Sequence, residues 1–160
     1  MENEIQKDEE VFVSEDELIT SAVTPLTYSL ANILVRVFKT DDVNVTVGAN
    51  GLPAIDVFYQ NYAIKFSFFP TGETDAFDMF VLMIRAGVKM EDETNAILAC
   101  ESFNTASLFG YGVYVGDGYC ELRASVPHEG RIYDENYYNR LMEMFVYSLE
   151  ELNSTLNEKE

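Results

Sequence analysis

The only histidine of the chain, His128, is the first residue to consider, because imidazole acid–base chemistry and most zinc sites would have to be centred on it. It stands between Pro127 and Glu129, and neither cysteine is near it in the sequence. These neighbours are typical of a connecting loop. We therefore expect a solvated side chain with no catalytic role and no zinc.

The two cysteines, Cys100 and Cys120, would form a disulfide or a redox pair if the fold brought them together. Cys100 falls in a helix-period segment and Cys120 in a strand pattern, where small buried hydrophobic residues are typical. We expect two core residues, with the redox pair as the less favoured alternative.

Three groups of acidic residues are candidates for binding calcium or magnesium: Asp41 with Asp42, Asp75 with Asp78, and the run 91–93. None has the alternating oxygen ligands, central glycine and terminal glutamate of a dedicated calcium loop. Helix starts and turn tips explain them better. The sequence therefore predicts no metal site.

Gly110, Gly112 and Gly116 resemble a phosphate loop only superficially, because they fall within a strand pattern and not between a strand and a helix. Glycines in a strand allow something to approach the backbone closely, either the protein's own helix or a partner chain. The spacing leaves both alternatives open. With no catalytic group and no cofactor motif, we expect a protein that is not an enzyme.

A chain of 160 residues fits a single domain, whose core would draw on 11 Phe and 10 Tyr side chains. The net charge of −18 disfavours nucleic acids and anionic membranes as partners and favours basic proteins. The acidic N-terminus lacks the features of a secretion signal, and the longest apolar run, Met79 to Ile84, is too short to cross a bilayer. We expect a cytoplasmic protein with one domain over 14–153 and disordered acidic tails over 1–13 and 154–160.

Two helix starts are predicted in the N-terminal region. Ser14 and Glu17 have capping-box spacing, which predicts a short first helix. Thr24 followed by Pro25 is typical of a cap and a first helical position, and the apolar period then predicts a second helix over 25–39.

The hydrophobic period changes to two after this helix, which predicts strands. If Gln60 and Asn61 form a tight turn, Asp56 meets Lys65 on one side of a hairpin and three apolar pairs share the other. The apolar pairs are Ile55 with Phe66, Val57 with Ile64 and Tyr59 with Tyr62. The segment 77–86 alternates little, which predicts a central strand covered on both faces.

A helix is predicted over 91–106, followed by a hairpin, because Asp117-Gly118 is a strong two-residue turn signal. Placing those two residues at the turn puts eight core-compatible residues on one face, in four pairs: Val115 with Cys120, Val113 with Leu122, Tyr111 with Ala124, and Phe109 with Val126. The opposite face would be sparse and half polar. Asp134 then caps a last helix whose apolar positions run to Leu152.

With these elements in order, the chain resembles the YbjN-like family, bacterial proteins described as sensory transduction regulators and grouped with the type III secretion chaperones. Phe103-Asn104, near the end of the helix, is similar to the helix-ending aromatic-Asn pair of that family. The family usually has tryptophan where Phe103 stands, and a Ser or Thr cap where Tyr133 stands.

Other parts of the pattern agree with the same family. The hairpin about Asp117-Gly118, the segment 127–130 and the closing helix with residues 149–152 are similar to it, and residues 51–64 resemble its paired strands. The resemblance covers roughly residues 25–152 and implies an α+β fold of the type III secretion chaperone kind. An antiparallel sheet would pack against helices in the order α-β(3-4)-α-β-β-α.

The resemblance implies a frequently dimeric protein and supplies no catalytic residue. We therefore expect a non-enzymatic protein-binding domain, chaperone-like or regulatory; the alternatives are a structural subunit of a larger assembly, or a small-molecule sensor or unrecognised enzyme with an aromatic-lined pocket between helix and sheet. The candidate partner-binding residues are Gly110, Gly112, Tyr114 and Tyr119 on the sparse hairpin face, with Ile97 and Phe103 as candidates for a dimer interface. The family assignment and the binding role both depend on the eight hairpin residues lying on one side.

Overall fold

The computed structural model describes residues 14–71 and 79–157, which form three helices and six strands. The elements follow one another as α1 (Glu15–Phe38), β1 (Val43–Val47), β2 (Pro53–Tyr59), β3 (Tyr62–Pro70), β4 (Met79–Lys89), α2 (Ala96–Ala106), β5 (Tyr111–Gly116), β6 (Tyr119–Glu129) and α3 (Glu135–Asn157). The strands form one antiparallel sheet in the order β1-β2-β3-β4-β6-β5. The predicted α+β class and element order are confirmed.

The three helices lie on one side of the sheet. α1 packs across β1, β2 and β3, α3 packs across β4 and β6, and α2 packs against β5 and α3. Arg36 of α1 and Glu135 of α3 form an ion pair at 2.5 Å. On the strands, alternate side chains point to this side and are buried: Ile55, Val57, Ile64, Phe66, Phe68, Phe80, Leu82, Ile84, Ala86, Val88, Cys120, Leu122 and Ala124.

The β2–β3 hairpin has the predicted register throughout. Ile55 is opposite Phe66, Val57 opposite Ile64 and Tyr59 opposite Tyr62, while Asp56 is opposite Lys65 on the other side. Gln60 has a φ of 53° at the turn. The alternation of the two strands was enough to define this pairing.

β4 is central in the sheet, as predicted, with β3 on one side and β6 on the other. The prediction that it is covered on both faces is wrong for the described residues. Phe80, Leu82 and Ile84 are buried under the helices, whereas Val81 and Met83 on the other side are only partly buried. The strand thus carries apolar residues on a side that no described helix covers.

α1 is one helix and not two. The capping box is present, since Ser14 Oγ accepts from the Glu17 N–H and Glu17 in turn accepts from the Ser14 N–H. Pro25 lies inside the helix, where its missing N–H removes one backbone hydrogen bond. The helix continues because Val23 and Leu26, on either side of Pro25, are both buried in the core.

α1 is long and apolar enough to meet length and composition criteria for a membrane span, with a mean hydropathy of 1.5. The sequence analysis did not identify this long apolar helix, because it divided the segment into two helices at Thr24. In the fold, Leu30 and Leu34 of α1 are fully buried on the sheet. Core helices of soluble proteins meet the same criteria.

α2 begins at Ala96, five residues after the predicted start. Residues 91–95 form a turn instead, in which Asp92 Oδ1 accepts a hydrogen bond from the Thr94 N–H at 2.8 Å. A carboxylate that bonds its own local backbone competes with helix formation. The acidic run therefore does not lie in the first turn of the helix.

The β5–β6 hairpin reverses at the predicted turn but has a different register. Asp117 and Gly118 have φ values of 53° and 78°, as a two-residue turn with two positive φ angles requires. Gly116 has a φ of 92° and lies opposite Tyr119, yet Tyr114 is opposite Cys120, so one extra residue stands in β5. This is a bulge of the kind that a glycine with positive φ allows.

The bulge turns the predicted inward residues of β5 to the other side, because side chains alternate with a period of two. Gly112 lies opposite Leu122, and Tyr111 and Val113 lie opposite Arg123 and Glu121. The eight hairpin residues are therefore split between the two sides of the sheet. Only the inward set of β6 is as predicted, so the one-sided set of eight residues no longer supports the family resemblance or the binding role that the sequence analysis based on it.

α3 extends beyond the predicted domain boundary at residue 153. It ends at Asn157, whose side chain donates to the Lys89 carbonyl at 2.9 Å and accepts from the Glu91 N–H at 3.2 Å. Residues 154–157 are thus part of the domain and not of a tail. The predicted tail over 1–13, and residues 158–160 of the tail predicted over 154–160, lie outside the described residues.

Candidate functional site

No described helix or loop covers the side of the sheet opposite the helices. We call it the open face. Its strand positions are the alternates of the buried set, and they include Phe58, Ala63, Lys65, Ser67, Phe69, Val81, Met83, Arg85, Lys89, Glu121, Arg123, Ser125, Tyr111 and Val113.

A single row of residues crosses the open face from edge to edge. Starting at β1, the register aligns Asn44, Asp56, Lys65, Arg85, Arg123 and Tyr111, one from each strand. We call Lys65, Arg85 and Arg123 the cationic row. These three occupy neighbouring strands, so each is directly opposite the next.

The outer members of the cationic row have acidic neighbours. Lys65 Nζ lies 3.5 Å from Asp56 Oδ1, and Arg123 Nε lies 2.6 Å from Glu121 Oε1. Hydrogen bonding to Glu121 raises the pKa of Arg123, so this guanidinium stays charged. Arg85, between them, makes no ion pair or side-chain hydrogen bond with any described residue.

Apolar side chains lie on both sides of this row. Val81 and Met83 precede Arg85 along β4, and Phe58 is 55% exposed on β2. Tyr111 and Tyr119, near the other edge, are each 44% exposed. An aromatic and aliphatic surface with a few cations is the composition that protein interfaces favour.

The predicted partner-binding residues do not share one surface. Tyr119 lies on the open face, but Gly112 is buried on the helix side, where an added Cβ would meet Leu152 Cδ1 at 3.0 Å and Cys100 Sγ at 3.4 Å. Gly110 has a φ of 78° just before β5, and Tyr114 points to the helix side with its hydroxyl 3.3 Å from Glu93. The glycine spacing left open whether the protein's own helix or a partner chain approaches this backbone. At Gly112 it is the protein's own helices, since Leu152 and Cys100 cover it.

The predicted dimer residues both belong to α2 but lie on different faces of it. Ile97 is 62% exposed, whereas Phe103 is only 5% exposed and belongs to the core. Phe103 is therefore not accessible to a partner. Leu98, next to Ile97 and 65% exposed, is the residue that the prediction did not name.

Asn104 stabilises the edge strand β5. Its Nδ2 donates to the Gly112 carbonyl at 3.0 Å, and its Oδ1 accepts from the Gly112 N–H at 2.7 Å. One amide side chain thus pairs with both backbone groups of an edge residue, as a neighbouring strand would. The Phe103-Asn104 pair therefore has a structural explanation, an anchor in the core and a cap on the sheet edge.

His128 is fully buried in β6, so the prediction of a solvated loop residue is wrong. The strand continues through Pro127, which the sequence interpretation treated as the start of a loop. His128 Nδ1 lies 2.5 Å from the Glu129 carbonyl and Nε2 lies 2.7 Å from the Tyr138 hydroxyl. Since a carbonyl only accepts, Nδ1 donates, and Nε2 accepts from Tyr138 in a neutral ring.

The tyrosines around this histidine form an aromatic cluster with it: Tyr133, stacked at 4.3 Å between ring centroids, with Tyr137 and Tyr138. Burial lowers the pKa of His128, and Arg131 acts in the same direction, while the bond to Glu129 opposes them. Burial also raises the pKa of Tyr138 to about 12. The polar atoms of His128 and Tyr138 have hydrogen-bond partners within the protein, so the cluster is a structural part of the core. The spacing of the tyrosines after Pro127 was the sequence signal for it.

The cysteines are buried, as predicted, and they lie together. Cys100 Sγ and Cys120 Sγ are 3.4 Å apart, and Met90 Sδ is 3.3 Å from Cys120 Sγ. Burial, with a hydrogen bond to Cys100, raises the pKa of Cys120 to about 12. Both thiols are free and buried, which agrees with the predicted core role, and their separation is the proximity that the alternative redox pair requires.

A groove of about 500 Å³ lies between the end of α1, the middle of α3 and the end of β2. Aromatic and charged residues line it, among them Phe38, Lys39, Tyr59, Glu143, Tyr147 and Glu150. Burial and the nearby Glu150 raise the pKa of Tyr62. The position of the groove agrees with that of the pocket in the small-molecule alternative.

Within 14–71 and 79–157, no three His, Cys, Asp or Glu residues are grouped as metal ligands. Asp42 instead accepts from Asn44 at 3.1 Å, and Asp92 bonds the backbone of its own turn. Asp75 and Asp78 lie outside the described residues.

No protein-family model matches the chain, and no curated protein matches it significantly. The YbjN-like resemblance therefore stays a prediction, and the site has to be interpreted from its own geometry.

Proposed function

We propose that this chain is a non-enzymatic, cytoplasmic protein-binding domain, chaperone-like or regulatory, and that the open face is its contact surface. The observation that supports the proposal most directly is β4. Its outward residues Val81 and Met83 are apolar in the middle of a sheet, where a one-sided sheet normally carries polar residues. A partner that covers this side would explain a strand with the sequence pattern of burial on both faces.

The edge of the sheet at β5 is a less suitable binding site. Strand addition needs free backbone groups, and the side chain of Asn104 already occupies both groups of Gly112. The side chains of the open face, in contrast, can be contacted without displacing a backbone hydrogen bond of the sheet. This favours binding across the strands over extension of the sheet.

Site-specific photo-crosslinking tests the proposal. Ser125 lies on the open face directly opposite Met83, and Ser154 is an exposed residue of α3. A photo-reactive phenylalanine at Ser125 is expected to give discrete protein adducts in the native cell, while the same group at Ser154 gives none. An adduct of twice the chain mass would identify a second copy, the predicted homodimer. Absence of adducts at Ser125, or the same adducts at both sites, would contradict the proposal.

The groove between α1, α3 and β2 supports the second candidate function, a small-molecule sensor or an enzyme. Its volume of about 500 Å³ falls within the range of ligand pockets. A ligand at 100 times its dissociation constant would add about 2.7 kcal/mol of stability, which thermal-shift screening detects. Val146→Trp would fill the groove and should abolish the shift of a true hit; a metabolite that passes both tests would promote this function over protein binding.

A further inference from the structure

We infer that the open face binds an acidic, extended segment of a partner protein, with carboxylates of that segment on the cationic row and its central contact on Arg85. This inference rests on the proposed function and adds the chemistry of the partner. Three observations support it: the like charges of the row, its spacing, and the local charge of the face.

The cationic row places like charges directly opposite one another. Lys65 is the cross-strand partner of Arg85, and Arg85 is the cross-strand partner of Arg123. Directly opposite like charges destabilise an antiparallel pair. Asp56 and Glu121 offset the two outer cations, but no described residue offsets Arg85, which is partly buried between them. A carboxylate supplied from outside would remove this repulsion.

The spacing of the row suits an extended peptide. Neighbouring strands are about 4.8 Å apart, so the three cations span about 10 Å. Alternate side chains of an extended chain are about 6.8 Å apart, so two carboxylates in an acid-x-acid sequence both reach the row. A guanidinium binds a carboxylate through two parallel hydrogen bonds, and Arg85 has its donors free for this among the described residues. Met83 and Val81 then lie beside the segment as apolar contacts.

The charge of the open face differs from that of the whole chain. Four of the ten Lys and Arg residues lie on its strands, namely Lys65, Arg85, Lys89 and Arg123, against three of the 28 Asp and Glu residues, namely Asp56, Glu121 and Glu129. The net charge of −18 favours basic partners only at long range. Charges that lie farther away than the screening length of about 8 Å are largely screened, so at contact distance the local cations decide. A nucleic acid carries charge along its whole length and would meet the acidic remainder of the surface, whereas a short acidic segment need not.

A labelled peptide with alternating Glu and Val residues is the probe, and its Gln-Val counterpart is the control for charge. Fluorescence anisotropy is expected to show binding of the Glu peptide to the full chain, and at least tenfold weaker binding of the Gln peptide. Arg85→Gln should weaken binding of the Glu peptide at least tenfold. Arg140→Gln, which removes an exposed cation from α3, should leave binding unchanged. Inorganic phosphate and a short oligonucleotide should not compete at the concentration of the peptide.

The stability of Arg85→Gln gives a second readout that does not depend on the probe. Because like-charge repulsion is removed, its Tm is expected to equal or exceed that of the wild type. A lower Tm would show that Arg85 is structural and would overturn the inference, as would equal binding of both peptides or competition by phosphate or the oligonucleotide. If Ser125 crosslinks persist unchanged in Arg85→Gln, the open face still binds protein and only the acidic-segment inference fails.

Discussion

The β2–β3 and β5–β6 hairpins were predicted by the same rule, and only the first has the predicted register. Both reverse in two residues, at Gln60-Asn61 and at Asp117-Gly118. In β5 a bulge at Gly116, which has a positive φ, adds one residue before the turn, and the side chains from Tyr111 to Tyr114 change sides. A turn dipeptide therefore locates the reversal of the chain, while the register also depends on the residue next to it.

The displacement is confined to the edge strand. β6 pairs with β4 along its whole length, so its inward residues Cys120, Leu122 and Ala124 are fixed by a second neighbour. β5 has β6 on one side only and can shift by one residue without moving the rest of the sheet. The two hairpins thus differ in how many neighbours determine each strand.

The largest expected effect on stability follows from a substitution at the far end of β6, where His128 should behave as a core residue. His128→Ala removes a buried ring and leaves the Tyr138 hydroxyl without its acceptor, so we expect a loss of about 3 kcal/mol of unfolding free energy. Ser67→Ala, on the open face of β3, should change it by less than about 0.5 kcal/mol. Urea unfolding of both variants measures the difference, and a His128→Ala variant as stable as wild type would restore the loop interpretation.

The same histidine should make the stability of the protein depend on pH, and the β2–β3 hairpin contains no histidine. Because burial lowers the pKa of His128 in the folded state, the unfolded chain binds more protons. Stability should therefore be fully present above the ordinary pKa of about 6.5 and fall as the pH drops below it, towards the folded-state value. No other histidine titrates in this range. Denaturation midpoints at pH 8 and 6 should differ more in wild type than in His128→Ala; equal differences would show that the histidine is not responsible.

The next effect tests the register of β5 directly. At Gly112 a side chain would meet Leu152 and Cys100, so Gly112→Val should cost about 2 kcal/mol through overpacking. In the predicted register the same residue would lie on the open face, and the substitution would be harmless. Gly87→Val is the matched control, since a Cβ there meets only Tyr119 at 3.7 Å. Equal stability of the two variants would contradict the observed register.

Patterns with several agreeing signals were predictable, and single signals were not. The β2–β3 register follows from three apolar pairs and one ion pair, and α3 from a long apolar period, whereas Pro25 and Pro127 were each taken as an element boundary. Both prolines lie within regular structure because burial of the neighbouring residues outweighs one lost hydrogen bond. The open face could not be predicted, because the cationic row aligns only when the residues of three strands, β3, β4 and β6, are in register.

Substitutions at the two turns should have smaller effects on stability. Gly116→Ala places a Cβ at a φ of 92°, so we expect a loss of about 1 kcal/mol although no atom lies within 4 Å. Gln60 has a φ of 53° without being glycine, so Gln60→Gly should raise stability by up to about 1 kcal/mol. The Tm values of the two variants should therefore shift in opposite directions from that of the wild type. A stabilised Gly116→Ala would mean that β5 has no bulge and that the two hairpins are built alike.

The smallest effect concerns the ion pair that helped to define the first hairpin. Asp56 lies 3.5 Å from Lys65 and also accepts from Thr46 at 2.9 Å, but the two charged side chains are 43% and 37% exposed. Because solvent screens such pairs, Asp56→Asn should cost less than about 0.5 kcal/mol, with Asp42→Asn as the control at an exposed acid. A larger loss in urea unfolding, reduced by added salt, would show that Asp56 offsets the whole cationic row and not Lys65 alone. Asp56, which helped to identify the hairpin register, would then also stabilise the cations of the open face.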